Sequence, residues 1–222
     1  MKTILFLALT FVFGIQQIMS QKKIDEQPPE KVKVLVGGSV SVGYGQMTGD
    51  ISDNIGNQFM LPLTGDILYK NLVVQLNLDE GFSKVKKTMM FPDGKSWEDG
   101  DNAWHSYFGG NIGYGIVNNE KMLIAPYVGY AWGDVSEKWW GQSDISEHEP
   151  DGNFINVGAF IDLKRKIAES GANRGKYAGY SGIRITVGAY IPAGDIEPYP
   201  ELYNGSTIYF TVGLPIFNTM NK

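Results

Sequence analysis

The stretch 72–82, which reads Leu-Val-Val-Gln-Leu-Asn-Leu-Asp-Glu-Gly-Phe, constrains the fold more than any other part of the chain. Side chains on a β-strand point alternately to opposite faces. Leu72, Val74, Leu76, Leu78 and Phe82 therefore share one face, and Val73, Gln75, Asn77, Asp79 and Gly81 share the other. The same division of apolar against small or polar recurs in eight segments, near 32–46, 58–69, 72–85, 102–117, 121–136, 153–164, 179–191 and 206–217. In the first of them Val34, Val36, Val40, Val42 and Tyr44 oppose Leu35, Gly37, Ser39, Ser41, Gly43 and Gly45, a set that is almost all small. The spacing predicts an all-β chain of antiparallel strands.

Which face points inward follows from chemistry. The outer face of a soluble barrel or sandwich is polar, and it would carry Lys, Glu and Gln with few glycines. Here the non-apolar face is mostly Gly, Ser, Ala, Asn and Thr, with isolated charges at Asp66, Asp79, Asp162 and Arg184. That makes a poor water-facing surface and a good cramped interior. The apolar face is nearly uniform Val, Ile and Leu and ends in Tyr, Trp or Phe, the pattern of a lipid-facing band with aromatic girdles. Closing the sheet also pairs every backbone group, as a strand in lipid requires. The chain has 28 glycines, 12 tyrosines, 5 tryptophans and no cysteine. No disulfide holds it, and the glycine–aromatic mixture is a barrel signature.

The start of the chain reads as a targeting segment. A short basic beginning, an apolar run over 4–15 and a polar exit give a signal peptide over 1–20, too short to span a bilayer as a helix. Residues 21–31, with Pro28 and Pro29, read as a flexible segment, 32–217 as the barrel and 218–222 as a tail. A net charge of −5 argues against nucleic acid as a partner.

These features resemble the small eight-stranded outer-membrane β-barrel proteins of Gram-negative bacteria. The resemblance covers about 32–217, and the last strand, from Thr211 through Gly213 to Phe217, looks like the glycine-then-aromatic signal of such barrels. Pro215 and the residues after Phe217 depart from it. The resemblance implies an up-and-down transmembrane barrel with both termini in the periplasm. Short turns at 70–71, 118–120 and 165–178 would lie there, and the long loops 47–57, 86–101, 137–152 and 192–205 would face outward. Those loops are acidic (Asp50, Asp53, Asp93, Glu98, Asp99, Asp101, Asp144, Glu147, Glu149, Asp151, Asp195, Glu197, Glu201), whereas the third turn is basic (Arg165, Lys166, Arg174, Lys176) and has room for a helical turn over 166–170.

Chemistry is sparser. Asp66, Gln75, Asn77, Asp79, Asp162 and Arg184 fall on the inward face and are expected to form a polar lumen network centred on Arg184, with Asp79 a candidate partner, since an unpaired buried charge is strongly destabilising. Such a network would plug a barrel of this size; a proton or small-ion path is the alternative. His105 and Ser106 are adjacent and so face opposite sides, which excludes them as a direct nucleophile–base pair. His148, between Glu147 and Glu149, reads as solvated. Asp93, Glu98, Asp99 and Asp101 supply oxygen ligands of the type calcium takes, without a recognisable loop spacing, and no cofactor is expected. Trp97, Trp139 and Trp140 lie in or near the outer loops, as an interfacial belt or an interaction surface.

The expectation is a non-enzymatic, monomeric outer-membrane barrel with a structural or surface-interaction role. Its partners would be outer-membrane lipid and, at the loops, lipopolysaccharide or an extracellular ligand. A barrel-type lipid-modifying enzyme requires His105 or His148 to meet a serine and an acid on the wall. A soluble secreted barrel requires the Val/Ile/Leu face to line an apolar cavity.

Overall fold

The structure is a computed structural model and describes residues 34–138, 145–168 and 177–219. The segments assigned to the signal peptide and to 21–31 lie outside the described residues, as do Trp139, Trp140, Arg174 and Lys176. Eight long strands follow one another: β1 (Val34–Gly49), β2 (Gln58–Tyr69), β3 (Leu72–Lys84), β4 (Asn102–Tyr114), β5 (Met122–Ser136), β6 (Asp151–Ala168), β7 (Tyr177–Pro192) and β8 (Gly205–Thr219). Each pairs antiparallel with its sequence neighbours, and β1 pairs with β8, so the sheet closes on itself. The two-residue strand Val117–Asn118 extends the turn before β5.

Closure fixes the geometry. Hydrogen-bonded partners followed once around the wall run from Gly37 through Asp66, Gln75, Asn111, Gly129, Asn156, Tyr190 and Thr207 to Met47, ten residues beyond the start on the same strand. With a rise of ~3.3 Å per residue and ~4.8 Å between strands, that stagger tilts the strands ~40° from the barrel axis. The ten residue steps from Leu72 to Phe82 then climb ~25 Å along the axis, the height of an apolar membrane band.

The leucines of β3 point out. Leu76, near mid-height, is 64% exposed, while Gln75, Asn77 and Asp79 are buried. Tyr69 and Tyr114 flank Leu72 at one end of the wall, and Tyr44, Phe59, Phe82 and Trp104 form a continuous row at the other. Phe82 and Trp104 meet edge to face at 4.2 Å. The turn at Lys70 and Asn71 is tight, and Lys70 takes the left-handed φ of 56° that two-residue hairpins demand.

Several boundaries differ from the sequence reading. β1 continues through Met47 to Gly49, and β8 carries residues 218 and 219 into the wall rather than a tail. Lys166 to Ala168 extend β6 instead of starting a helical turn. In each case a strand continues past the lipid-facing stretch because its neighbour still offers backbone partners, as Gly49 finds in Gly205 and Thr219 in Leu35.

Candidate functional site: the filled lumen and its covered mouth

The interior has three layers. Nearest the short turns, Leu68, Val73, Leu123, Phe160, Tyr180 and Phe217 form an apolar floor. On it rests Arg184, 2% exposed. Its guanidinium stacks on Phe160, 4.2 Å from the ring centre. It grips Asp162 with two hydrogen bonds, Nε to Oδ1 at 2.7 Å and Nη2 to Oδ2 at 2.9 Å. Nη1 donates to Asp66 Oδ2 at 2.7 Å. Tyr180 adds an O–H bond to Asp162 at 2.8 Å, and Gln75 donates to Asp66 at 2.7 Å. The carboxylate oxygens thus receive several charge-assisted or directed bonds, as a buried ion group needs.

Beyond Gln75 the hydrogen bonds continue around the lumen: Asn111 donates to Gln75 Oε1 at 3.5 Å, Asn156 to Asn111 Oδ1 at 3.1 Å, and Tyr209 to Asn156 Oδ1 at 2.7 Å. Tyr209 and Tyr127 share a short O–H contact of 2.5 Å. Asp79 does not join Arg184. It accepts from Tyr190, which also accepts from Asn77 at 3.0 Å. Tilt is the reason. Arg184 pairs with Gly213 and Gly213 with Ser41, while Asp79 lies opposite Pro62 on β2. A hydrogen-bonded row climbs as it passes round a tilted wall, so residues on one row are not at one height. Asp79 ends higher in the lumen than Arg184, and Asp66 is the carboxylate that comes level with it. A cavity of about 30 Å³ remains between these groups, room for about one or two waters.

Above the polar layer Tyr107 and Tyr190 stack face to face, 4.1 Å apart, and Tyr107 bonds Thr207 at 3.0 Å. Here an apolar roof begins. Each outer loop sends side chains into it: Ile51 and Ile55 from the first, Met89, Phe91 and Trp97 from the second, Ile145 from the third, Ile196 and Tyr203 from the fourth. The second loop doubles back as a small hairpin, Met89–Met90 against Ser96–Trp97. Loops also bond one another, Ile51 N–H to Asn204 O at 3.1 Å, Lys86 N–H to Asn54 O at 2.7 Å, and Asp151 with Glu197 in both directions at 2.7 and 3.1 Å.

The roof corrects two sequence expectations. Trp97 belongs to no surface belt: it is 0% exposed, because the hairpin folds its ring over the mouth. His148 is not solvated but 7% exposed. It stacks on Phe91 at 4.3 Å, and its Nε2 stands 3.1 Å from an Asp93 carboxylate oxygen. With the Lys95 backbone N–H, it holds the Asp93 carboxyl below the usual carboxylate range.

His105 is buried and bonds a serine that the sequence reading missed. Its Nε2 lies 2.7 Å from Ser83 Oγ. His105 is directly opposite Gly81, and Ser83 is the next inward residue, so the pair is diagonal and not visible from adjacency. His105 Nδ1 has no hydrogen-bond partner. Ser106 faces out and donates to Glu80 at 3.0 Å. The acids considered for calcium serve their own loop. Glu98 accepts from Thr88 and Ser96, and Asp101 accepts from the Glu98 backbone N–H. Among the described residues no group of three or more His, Asp or Glu is arranged to hold a metal ion.

The outward apolar band, its aromatic rows and the closed ladder describe one architecture. It is that of the small eight-stranded outer-membrane barrels. Solved structures similar to this chain include the Neisserial surface protein A, with 8% identity, a TM-score of 0.47 and cover of 84% of this chain and 99% of that one. Ail of Yersinia pestis, solved with sucrose octasulfate, matches at 11% identity and a TM-score of 0.39, over 84% and 97% of the two chains. The protease OmpT of Escherichia coli matches at 7% identity and a TM-score of 0.32, over 89% and 99%. No protein-family model and no curated protein matches the sequence.

Proposed function

We propose that this chain is a non-enzymatic outer-membrane barrel that works through its loop surface and its lipid-facing wall, with the lumen acting as an internal strut. The carrying observation is the wall itself, a ~25 Å band of outward Val, Ile and Leu between two aromatic rows. A lumen filled by its own side chains, floored and roofed by apolar layers, supports a structural role over a conducting one. The outer loops expose Asp50, Asp53, Glu98, Asp99, Asp195 and Glu197. Such a surface favours cationic partners, or lipopolysaccharide bridged through divalent cations, over free polyanions.

Leu76→Arg tests the reading. Placed near the middle of the band, the charge is expected to destabilise the barrel in lipid vesicles by about 2–4 kcal/mol, measured by urea titration. A change near zero would mean that Leu76 does not face hydrocarbon.

The lipid-modifying alternative draws on the Ser83–His105 bond. It lacks a carboxylate at His105 Nδ1, and the pair faces the interior rather than the wall. Ser83→Ala is expected to cost only what one hydrogen bond contributes, about 0.5–1.5 kcal/mol, and the native chain is expected to resist labelling by a fluorophosphonate. Covalent labelling at Ser83 would return the enzyme reading to the front.

A further inference from the structure

We infer that the outer wall carries a binding site for an anionic diacyl phospholipid at the end with the short turns, centred on Arg165 and Ser181. This rests on the membrane reading above. A groove of about 480 Å³ crosses β6, β7 and β8 there, within the size range of ligand sites.

Its origin is legible in the strand register. Ser181 is a small outward residue between Arg165 on β6 and Ile216 on β8, on one hydrogen-bonded row. The next outward row carries Leu163 and Ile183, both exposed. A dent thus opens beneath branched aliphatic side chains. Its floor is backbone. The β7–β8 register passes from the Ser181–Ile216 pair to the Arg184–Gly213 pair, and Pro215, which has no N–H to give, stands in the interval. Gly182 lies beside it, where a Cβ would fall 1.9 Å from Leu163 O. Gly182 is an inward position of β7, between outward Ser181 and Ile183, so it lines the dent with backbone alone.

The occupant follows from charge and height. Arg165 lies two residues beyond Leu163 toward the turn, ~5 Å lower along the tilted strand. An arginine there keeps its stem on the apolar wall while its head reaches the headgroup layer. It is exposed, and among the described residues it makes no ion pair, whereas its neighbour Lys166 is held by Glu120 at 2.7 Å. A guanidinium fork matches two phosphate oxygens, and the aliphatic sides of the groove match an acyl chain.

The test uses the full chain folded in mild detergent, with folding read from the heat-dependent gel mobility of the barrel. It is then offered an equimolar mixture of phosphatidylglycerol and phosphatidylcholine, and retained lipid is counted by native mass spectrometry. Phosphatidylglycerol is expected to be retained about fivefold over phosphatidylcholine, the worth of one basic side chain at an anionic headgroup. Arg165→Gln is expected to abolish the preference while leaving the fold intact. Ser181→Leu fills the dent and is expected to lower retention of both lipids. Equal retention by the folded wild type, or a preference that survives Arg165→Gln, overturns the site alone. A chain that fails to enter detergent or bilayer overturns the membrane reading and the site together.

Discussion

Arg184→Met is expected to cost the barrel about 3–5 kcal/mol, the penalty for leaving buried carboxylates without their counter-charge. Asp66 and Asp162 are both within 2.7 Å of the guanidinium, and the Phe160 face beneath it offers them nothing in exchange. Urea titration in lipid vesicles, followed by gel mobility, would show the variant unfolding at markedly lower denaturant. The triple variant Asp66→Asn, Asp162→Asn, Arg184→Met is expected to recover most of the loss. The amide oxygens still accept from Gln75 and Tyr180, and an uncharged cluster needs no ion pair. If Arg184→Met unfolds with the wild type, the network does not hold the barrel.

Trp97→Ala is expected to lose a similar amount, about 3–5 kcal/mol, because it removes the largest fully buried side chain among the described residues and leaves a cavity in the roof. The damage should be local. Proteolysis within 86–101, at Lys86, Lys87 or Lys95, is expected to accelerate while the wall stays intact. Trp97→Phe separates packing from polarity. The indole N–H has no hydrogen-bond partner, so its removal frees the roof of an unsatisfied donor. That variant is expected to sit much closer to the wild type than the alanine. Equal cleavage rates in wild type and Trp97→Ala would mean that the hairpin does not seal the mouth.

The wall was legible in the chain because a strand's side-chain period is two. Leu72 to Phe82 already separates Leu76 from Asn77, and the cramped Gly37-Ser39-Ser41-Gly43 face already says which side is narrow. What the period could not carry was height. Asp66, Asp79 and Asp162 look equivalent on the inward faces of their strands. Tilt then raises Asp79 to Tyr190 and brings Asp66 level with Arg184. The Ser83–His105 bond escaped for a related reason, being diagonal across a pair of strands. The roof escaped because it has no period at all. Ile51, Ile55, Ile145 and Ile196 are single apolar residues in otherwise polar loops, Met89 and Phe91 sit in one short apolar run with Met90, and only the convergence of four loops over one opening makes them a core. Their recurrence in every outer loop was the available signal.

The pairing of β1 with β8 has a consequence for how such a wall comes into being. Leu35 meets Thr219 and Gly49 meets Gly205, so the contacts that complete the ring join the parts of the barrel most distant in sequence. Hairpins along the chain can form locally, but each leaves two raw edges of unpaired N–H and C=O groups that hydrocarbon does not tolerate. The ring cannot be assembled in the bilayer strand by strand with every intermediate at rest. Insertion and closure must proceed together, late and against a large chain-entropy cost. A chain built this way depends on its timetable as much as on its contacts. Slowing the meeting of first and last strands should populate aggregates before it destabilises the finished barrel.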